Sequence, residues 1–286
     1  MYNNLGIRNP QSERNEVPKV KLGFDCHAHV YGTVKEANGS NYSPSCPAPL
    51  LDWQENLENC KLRGGVLVQP SFLGNDNRQL LEILSRLKHA YRGVVQLAKE
   101  TTLEEIAALD AAGVVGVRWN LIEGRSALPN LKDPLWIDFL DNLKAMDWHL
   151  ELHLEGNRLP EIFPALHEHG VKLVIDHIGL PVDDVPMQDP GCRLLLESGQ
   201  AERTWVKLSA PYRSPVFDLR PHVQALLHHL GRDRLVWGSD WPWTRHENKH
   251  TYHDTYGWLN DWVRDADDRQ HILDASPRAL FRLSDS

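Results

Sequence analysis

The sequence predicts a single (β/α)8 barrel, and three observations carry that prediction. Eight short apolar runs recur along the chain, each followed by a segment with helical character. Strands alternating with helices build a parallel sheet. The 286 residues suit eight such units in one domain, since a barrel of this kind takes about 250. The alternative is an open doubly wound sheet. No Gly-x-Gly-x-x-Gly follows any of the runs, so that fold would lack its phosphate loop. Residues 1–20 are polar and read as a flexible leader; residues 21–286 hold the barrel.

The elements follow in order. The first strand spans about 21–26 and leads into Cys26-His27-Ala28-His29. Side chains alternate faces along a strand, which puts His27 and His29 on one face with Asp25 behind them. Residues 30–50, rich in Gly, Ser, Asn and Pro, show no period and read as a long loop of the kind that carries function. A helix over 51–62 precedes the second strand at 64–69. Asp76 is placed to cap a helix running to about residue 91. The third strand covers 93–98, and Thr102 with Glu105 forms a capping-box pattern for the next helix. The fourth strand is 114–118, followed by a helix from 134 to 146. His149-Leu150-Glu151-Leu152-His153 is the fifth strand, and its polar alternation is unusual for a strand buried on both faces. Pro160 opens a helix, where its missing N–H costs little. Strands at 172–177, 205–209 and 234–240 complete the eight, with helices near 192–198 and 216–230 between them. A Trp- and His-rich loop and further helices end the chain.

Composition narrows the function. A formal net charge of -8 gives nucleic-acid binding no electrostatic support. No apolar run approaches the roughly 18 residues of a membrane helix, and the N-terminus lacks an apolar secretion core. Cys26, Cys46, Cys60 and Cys192 form no Cys-x-x-Cys pair. Reduced thiols in a cytoplasmic protein are the simplest reading. A homodimer stays open.

In a barrel of this class the chemistry sits where the strands end. There the sequence places His27 and His29, Ser71, Arg118, His153, His177, Ser209 with Arg213, and Asp240. Any one of them alone has an ordinary structural explanation; their joint occurrence at strand ends points to a site. Imidazoles with a carboxylate form a suitable first shell for Zn²⁺ or Mn²⁺. Without a metal, imidazoles can polarise a carbonyl while Asp240 takes a proton from water. Guanidinium groups at the mouth suit a small anionic substrate with carboxylates. Asp176, next to His177, falls on the opposite strand face and is expected to make helix or loop contacts.

These residues match a known pattern. Asp25-Cys26-His27-Ala28-His29, Arg118-Trp119-Asn120, Asp176-His177-Ile178-Gly179 and Trp237-Gly238-Ser239-Asp240-Trp241-Pro242 resemble the amidohydrolase superfamily. The segments 68–78 and 207–213 bring the chain nearest to the branch of 2-pyrone-4,6-dicarboxylate lactonases. The resemblance implies hydrolysis of a carboxylated lactone, of the 2-pyrone-4,6-dicarboxylate or sugar-acid type. It implies that Asp240 activates water, that His27, His29 and His177 surround the carbonyl, and that Arg118 and Arg213 hold substrate carboxylates. Ser71, just past the second strand, and Tyr42, in the loop where that family has a substrate-contacting tyrosine, are expected as further substrate contacts. Two departures stand out. The lactonases carry a tyrosine at His153; superfamily members with histidine there use it as a metal ligand. His27, His29, His153 and Asp240 thus make a set for one divalent ion, while metal-free catalysis stays open. Arg125 stands beside Gly124, where the lactonases have arginine, and Trp243 replaces a histidine. Both changes imply a somewhat different substrate. A metal-dependent non-oxidative decarboxylase of an aromatic or muconate-type acid is the runner-up, and an inert small-acid binding protein a third reading.

Overall fold

The computed structural model describes residues 23–33, 42–122, 127–197 and 201–284. Eight parallel strands lie in one sheet in chain order: β1 (Gly23–Ala28), β2 (Leu62–Val68), β3 (Tyr91–Val95), β4 (Val114–Asn120), β5 (His149–His153), β6 (Lys172–Ile175), β7 (Thr204–Leu208) and β8 (Leu235–Trp237). Seven helices alternate with them: α1 (Leu50–Asn59), α2 (Arg78–Leu84), α3 (Leu103–Ala111), α4 (Pro134–Ala145), α5 (Leu159–His169), α6 (Pro190–Glu197) and α7 (Arg220–Leu230). Three more, α8 (Tyr252–Trp262), α9 (Ala266–Leu273) and α10 (Ala275–Phe281), follow β8. The sheet nearly closes into the expected single-domain barrel. Its seam is stitched by Asp240 N–H to the His27 carbonyl at 2.8 Å and His29 N–H to the Trp241 carbonyl at 2.7 Å.

Two apolar layers hold the barrel. Between strands and helices, Leu150, Leu152, Leu173 and Leu208 share one buried cluster with helix residues such as Phe139 of α4 and Phe163 of α5. A second cluster joins Phe24, Val66, Val94, Val115, Val174 and Val236 to Leu280 and Phe281 of α10. The polar alternation of β5 now has its reason. Leu150 and Leu152 join the strand–helix layer, and Glu151 turns inward to a buried lysine on β7, Lys207. The expected capping box forms, with Glu105 N–H donating to the Thr102 side chain at the start of α3.

Several boundaries differ from expectation. α2 ends at Leu84, and Tyr91 already belongs to β3. Asp76 does bind the first turn, accepting from Arg78 N–H at 3.3 Å, but the N-cap position itself is Asn77. α1 stops at Asn59, and Leu62 already opens β2. α7 begins at Arg220, later than the pattern suggested. β6 ends at Ile175 and β8 at Trp237, so Asp176, His177 and Asp240 lie just past the strands. The predicted leader and Arg125 fall outside the described residues. Among the described residues no helix is long and apolar enough to cross a membrane.

Candidate active site

β1 supplies the first two imidazoles through an irregularity. Its register against β2 shifts between Asp25 and Ala28, which breaks strict alternation. Asp25 consequently faces helices: its carboxylate accepts from Trp53 Nε1 of α1 at 2.9 Å and Tyr252 OH of α8 at 2.8 Å. The same carboxylate takes Ser239 N–H at 2.8 Å and Ser239 Oγ–H at 2.6 Å, locking β1 to the end of β8. His27 instead turns toward other strands. Its Nδ1 lies 3.0 Å from Lys207 Nζ and 3.5 Å from Asp176 Oδ1. Gly238 lets this happen, because a Cβ there would sit 2.6 Å from the Cβ of His27.

The centre of the mouth is Asp240. Its Oδ2 accepts from Tyr212 OH at 2.6 Å and from Arg213 Nε at 2.7 Å. Its Oδ1, fully buried, accepts no hydrogen bond from the described residues. That oxygen lies 3.5 Å from His27 Nε2 and 3.7 Å from His29 Nε2. Burial pushes the Asp240 carboxyl up, but the Arg213 cation and the surrounding imidazoles hold it well below the usual range, so it is ionised. Burial drives the histidines the other way, because a buried imidazolium is costly. His29 falls to about 4 and His177 to about 3. His27 and His153 are also lowered well below 6.5. The mouth therefore combines neutral imidazoles with the ionised Asp240 carboxylate.

His177 and Asp240 both leave their strands through left-handed backbone, with φ of 53° and 57°. For residues other than glycine that conformation costs on the order of 1–3 kcal/mol and persists where surrounding contacts impose it. At His177 it has a second effect, since it breaks face alternation. Asp176 follows Val174 of β6 inward, and the turned backbone brings His177 to the same side, contrary to the helix or loop contacts expected of Asp176. Its Oδ2 accepts from Arg118 Nε at 2.7 Å, and its Oδ1 lies 3.3 Å from Lys207 Nζ. His177 Nδ1 meets Ser209 Oγ at 2.9 Å, leaving Nε2 buried without a partner among the described residues. His153 stacks edge-on against His177, ring centroids 4.9 Å apart.

The structure thus gathers His27, His29, His153, His177 and Asp240 at one mouth. Ligand atoms of His27, His177 and Asp240 lie within 4.8 Å of one another, as do those of His153, Asp176 and His177. These are spacings at which protein groups can hold a cation. Both arginines engage acidic side chains of the site, Arg118 with Asp176 and Arg213 with Asp240. Tyr42 reaches across to the loop after β8, where its hydroxyl donates to Glu247 and its ring packs on Phe72. Trp243 is buried and donates its indole N–H to the Ser239 carbonyl at 3.2 Å. Ser71 sits in a short turn just past β2. Three residues escaped the sequence reading, Lys207, Glu151 and Tyr212, and Asp176 was expected on the wrong face. A lysine between Val206 and Leu208 in a buried strand was the available clue.

A parallel barrel whose mouth unites a His-x-His pair, two further histidines and an aspartate defines a hydrolase scaffold. The amidohydrolase family model matches residues 24–283, and the chain belongs to that family. It is 27% identical to the 4-sulfomuconolactone hydrolase of Rhizobium radiobacter, over 91% of this chain and 90% of the relative. Two crystal structures are similar along nearly their whole length, both of proteins assigned as 2-pyrone-4,6-dicarboxylic acid hydrolases. The one from Pseudomonas putida is 35% identical, with a TM-score of 0.85, covering 93% of this chain and 99% of that one. The other, from Acinetobacter baumannii with citric acid bound, is 33% identical, with a TM-score of 0.84, covering 92% and 100%.

Proposed function

We propose that this chain hydrolyses a small carboxylated lactone, of the 2-pyrone-4,6-dicarboxylate or muconolactone kind. The observation that carries the reading is the asymmetry of Asp240. One carboxylate oxygen is clamped by Tyr212 and Arg213 while the other, buried and unbonded, faces the imidazoles. Such a carboxylate is oriented for a single task, taking a proton from a water lying against Oδ1. The water oxygen forms the new bond to the lactone carbonyl carbon. Nε2 of His27 and of His177 face the carbonyl oxygen and stabilise the charge that develops there. The ring C–O bond then breaks, and the proton held by Asp240 passes to the departing oxygen. Water is consumed and one new carboxylate appears.

Arg213 and Arg118 supply positive charge for the substrate's carboxylates, with Ser71 and Tyr42 at the rim. The citric acid bound by the Acinetobacter relative supports a site for several carboxylates. A decarboxylase would place its carboxylate, and not an ester carbonyl, at Oδ1, and two anions would then face each other there. No step of this hydrolysis depends on the Zn²⁺ or Mn²⁺ that the sequence led us to expect. Steady-state assays of wild type and Asp240→Asn on 2-pyrone-4,6-dicarboxylate and on muconolactones test the reading. Loss of a base of this kind should lower kcat by about 10²–10⁴ with KM nearly unchanged. An Asp240→Asn variant retaining wild-type turnover would refute it.

A further inference from the structure

Below the mouth, Lys207 on β7 is fully buried and surrounded by three acceptors. Its Nζ lies 2.5 Å from Glu151 Oε1, 3.0 Å from His27 Nδ1 and 3.3 Å from Asp176 Oδ1. An ammonium has three N–H donors and nothing that accepts. At the other end of the same row of groups, His29 Nδ1 lies 2.7 Å from the Val68 carbonyl oxygen, which can only accept. Between them, His27 Nε2 and His29 Nε2 meet at 3.4 Å. With a pure donor at one end and a pure acceptor at the other, the row has one polarity. Lys207 donates to His27 Nδ1, His27 Nε2–H donates toward His29 Nε2, and His29 Nδ1–H donates to Val68.

We infer that Lys207 is a positioning residue that fixes the proton of His27 on Nε2 and thereby denies His27 to a divalent metal. A metal ligand needs a lone pair on Nε2, which for a neutral imidazole means a proton on Nδ1. That proton would face an N–H of Lys207 at 3.0 Å and would reach Asp176 only at 3.5 Å. The donor set expected for the metal, with His27 in it, does not fit one. It fits a hydrogen-bond donor aimed at a carbonyl oxygen. The inference rests on the hydrolase reading only for what that proton does; its location is measured without substrate.

The test is the tautomer. Protein labelled with ¹⁵N-histidine is examined by long-range ¹H–¹⁵N correlation at neutral pH, with His27 assigned by its loss in His27→Gln. The expected result is a protonated Nε2 and an unprotonated Nδ1. Zinc chloride added to one equivalent should leave the His27 resonances in place. A proton on Nδ1, or His27 resonances that move with one equivalent of zinc, would overturn the inference whether or not the protein turns over lactones. Lys207→Met should release the preference and give a mixture of tautomers. If the single variant does not fold, Lys207→Met/Glu151→Gln carries the same test with the buried charges balanced. An unchanged Nε2 tautomer in the folded variant would remove Lys207 from its role.

Discussion

Replacing Lys207 by methionine leaves the volume of the side chain and removes its charge. Two buried carboxylates lose a partner, but unequally. Asp176 keeps Arg118 at 2.7 Å, so its charge stays compensated. Glu151 keeps only His149 Nε2 at 3.2 Å, and burial lowers the pKa of that imidazole, which leaves it neutral. The variant therefore carries about one uncompensated buried carboxylate, a change that costs roughly 3–5 kcal/mol. In a chain of this size that corresponds to a fall in Tm of roughly 10 °C. Lys207→Met/Glu151→Gln removes the orphaned charge along with the ammonium and should recover more than half of the loss. Urea unfolding at neutral pH measures all members of the cycle. A Lys207→Met variant within about 0.5 kcal/mol of wild type, the scatter expected of an inconsequential site, would refute the reasoning. So would a double variant no more stable than the single one.

Other outcomes follow from the same contacts. Gly238→Ala forces a Cβ to within 2.6 Å of the His27 Cβ; it should destabilise by about 1–3 kcal/mol and lower kcat by displacing His27, measured by unfolding and kinetics together. Arg213→Met removes the cation that holds the Asp240 carboxyl down, so the acidic limb of the kcat/KM profile should move to higher pH. A limb that stays put would mean that another group governs it. Stability should fall with acidification in a defined window. The unfolded chain protonates its histidines below about pH 6.5, whereas His29 folded resists protonation down to about 4. The contribution of burying it neutral is complete above about pH 6.5 and is lost toward pH 4, about 3 kcal/mol in all. Urea titrations between pH 7 and 5 should show that slope for wild type and a shallower one for His29→Gln.

The strands were legible because each is a compact apolar run bounded by turn residues, and the site because barrel chemistry gathers at strand ends. His27, His177 and Asp240 could be placed together on that rule alone. What stayed hidden depended on backbone conformation and long-range partners. Strict alternation put Asp25 on the face of His27 and sent Asp176 away from the site. The shifted register of β1 and the left-handed φ of His177 reverse both. Helix α2 looked longer than it is because residues 85–90 carry helix-forming side chains, while the sheet requires Tyr91 as the start of β3. The tie between Tyr42 and Glu247 joins loops some two hundred residues apart, and no local pattern announces it.

The central claim is that Asp240 directs a water molecule at a lactone carbonyl. Enzymatic turnover of 2-pyrone-4,6-dicarboxylate in H₂¹⁸O, read by mass spectrometry, tests it most directly. One ¹⁸O in the newly formed carboxylate and none in the Asp240 peptide is the predicted result. Product lighter by carbon dioxide, product without label, or label carried into Asp240 would contradict it.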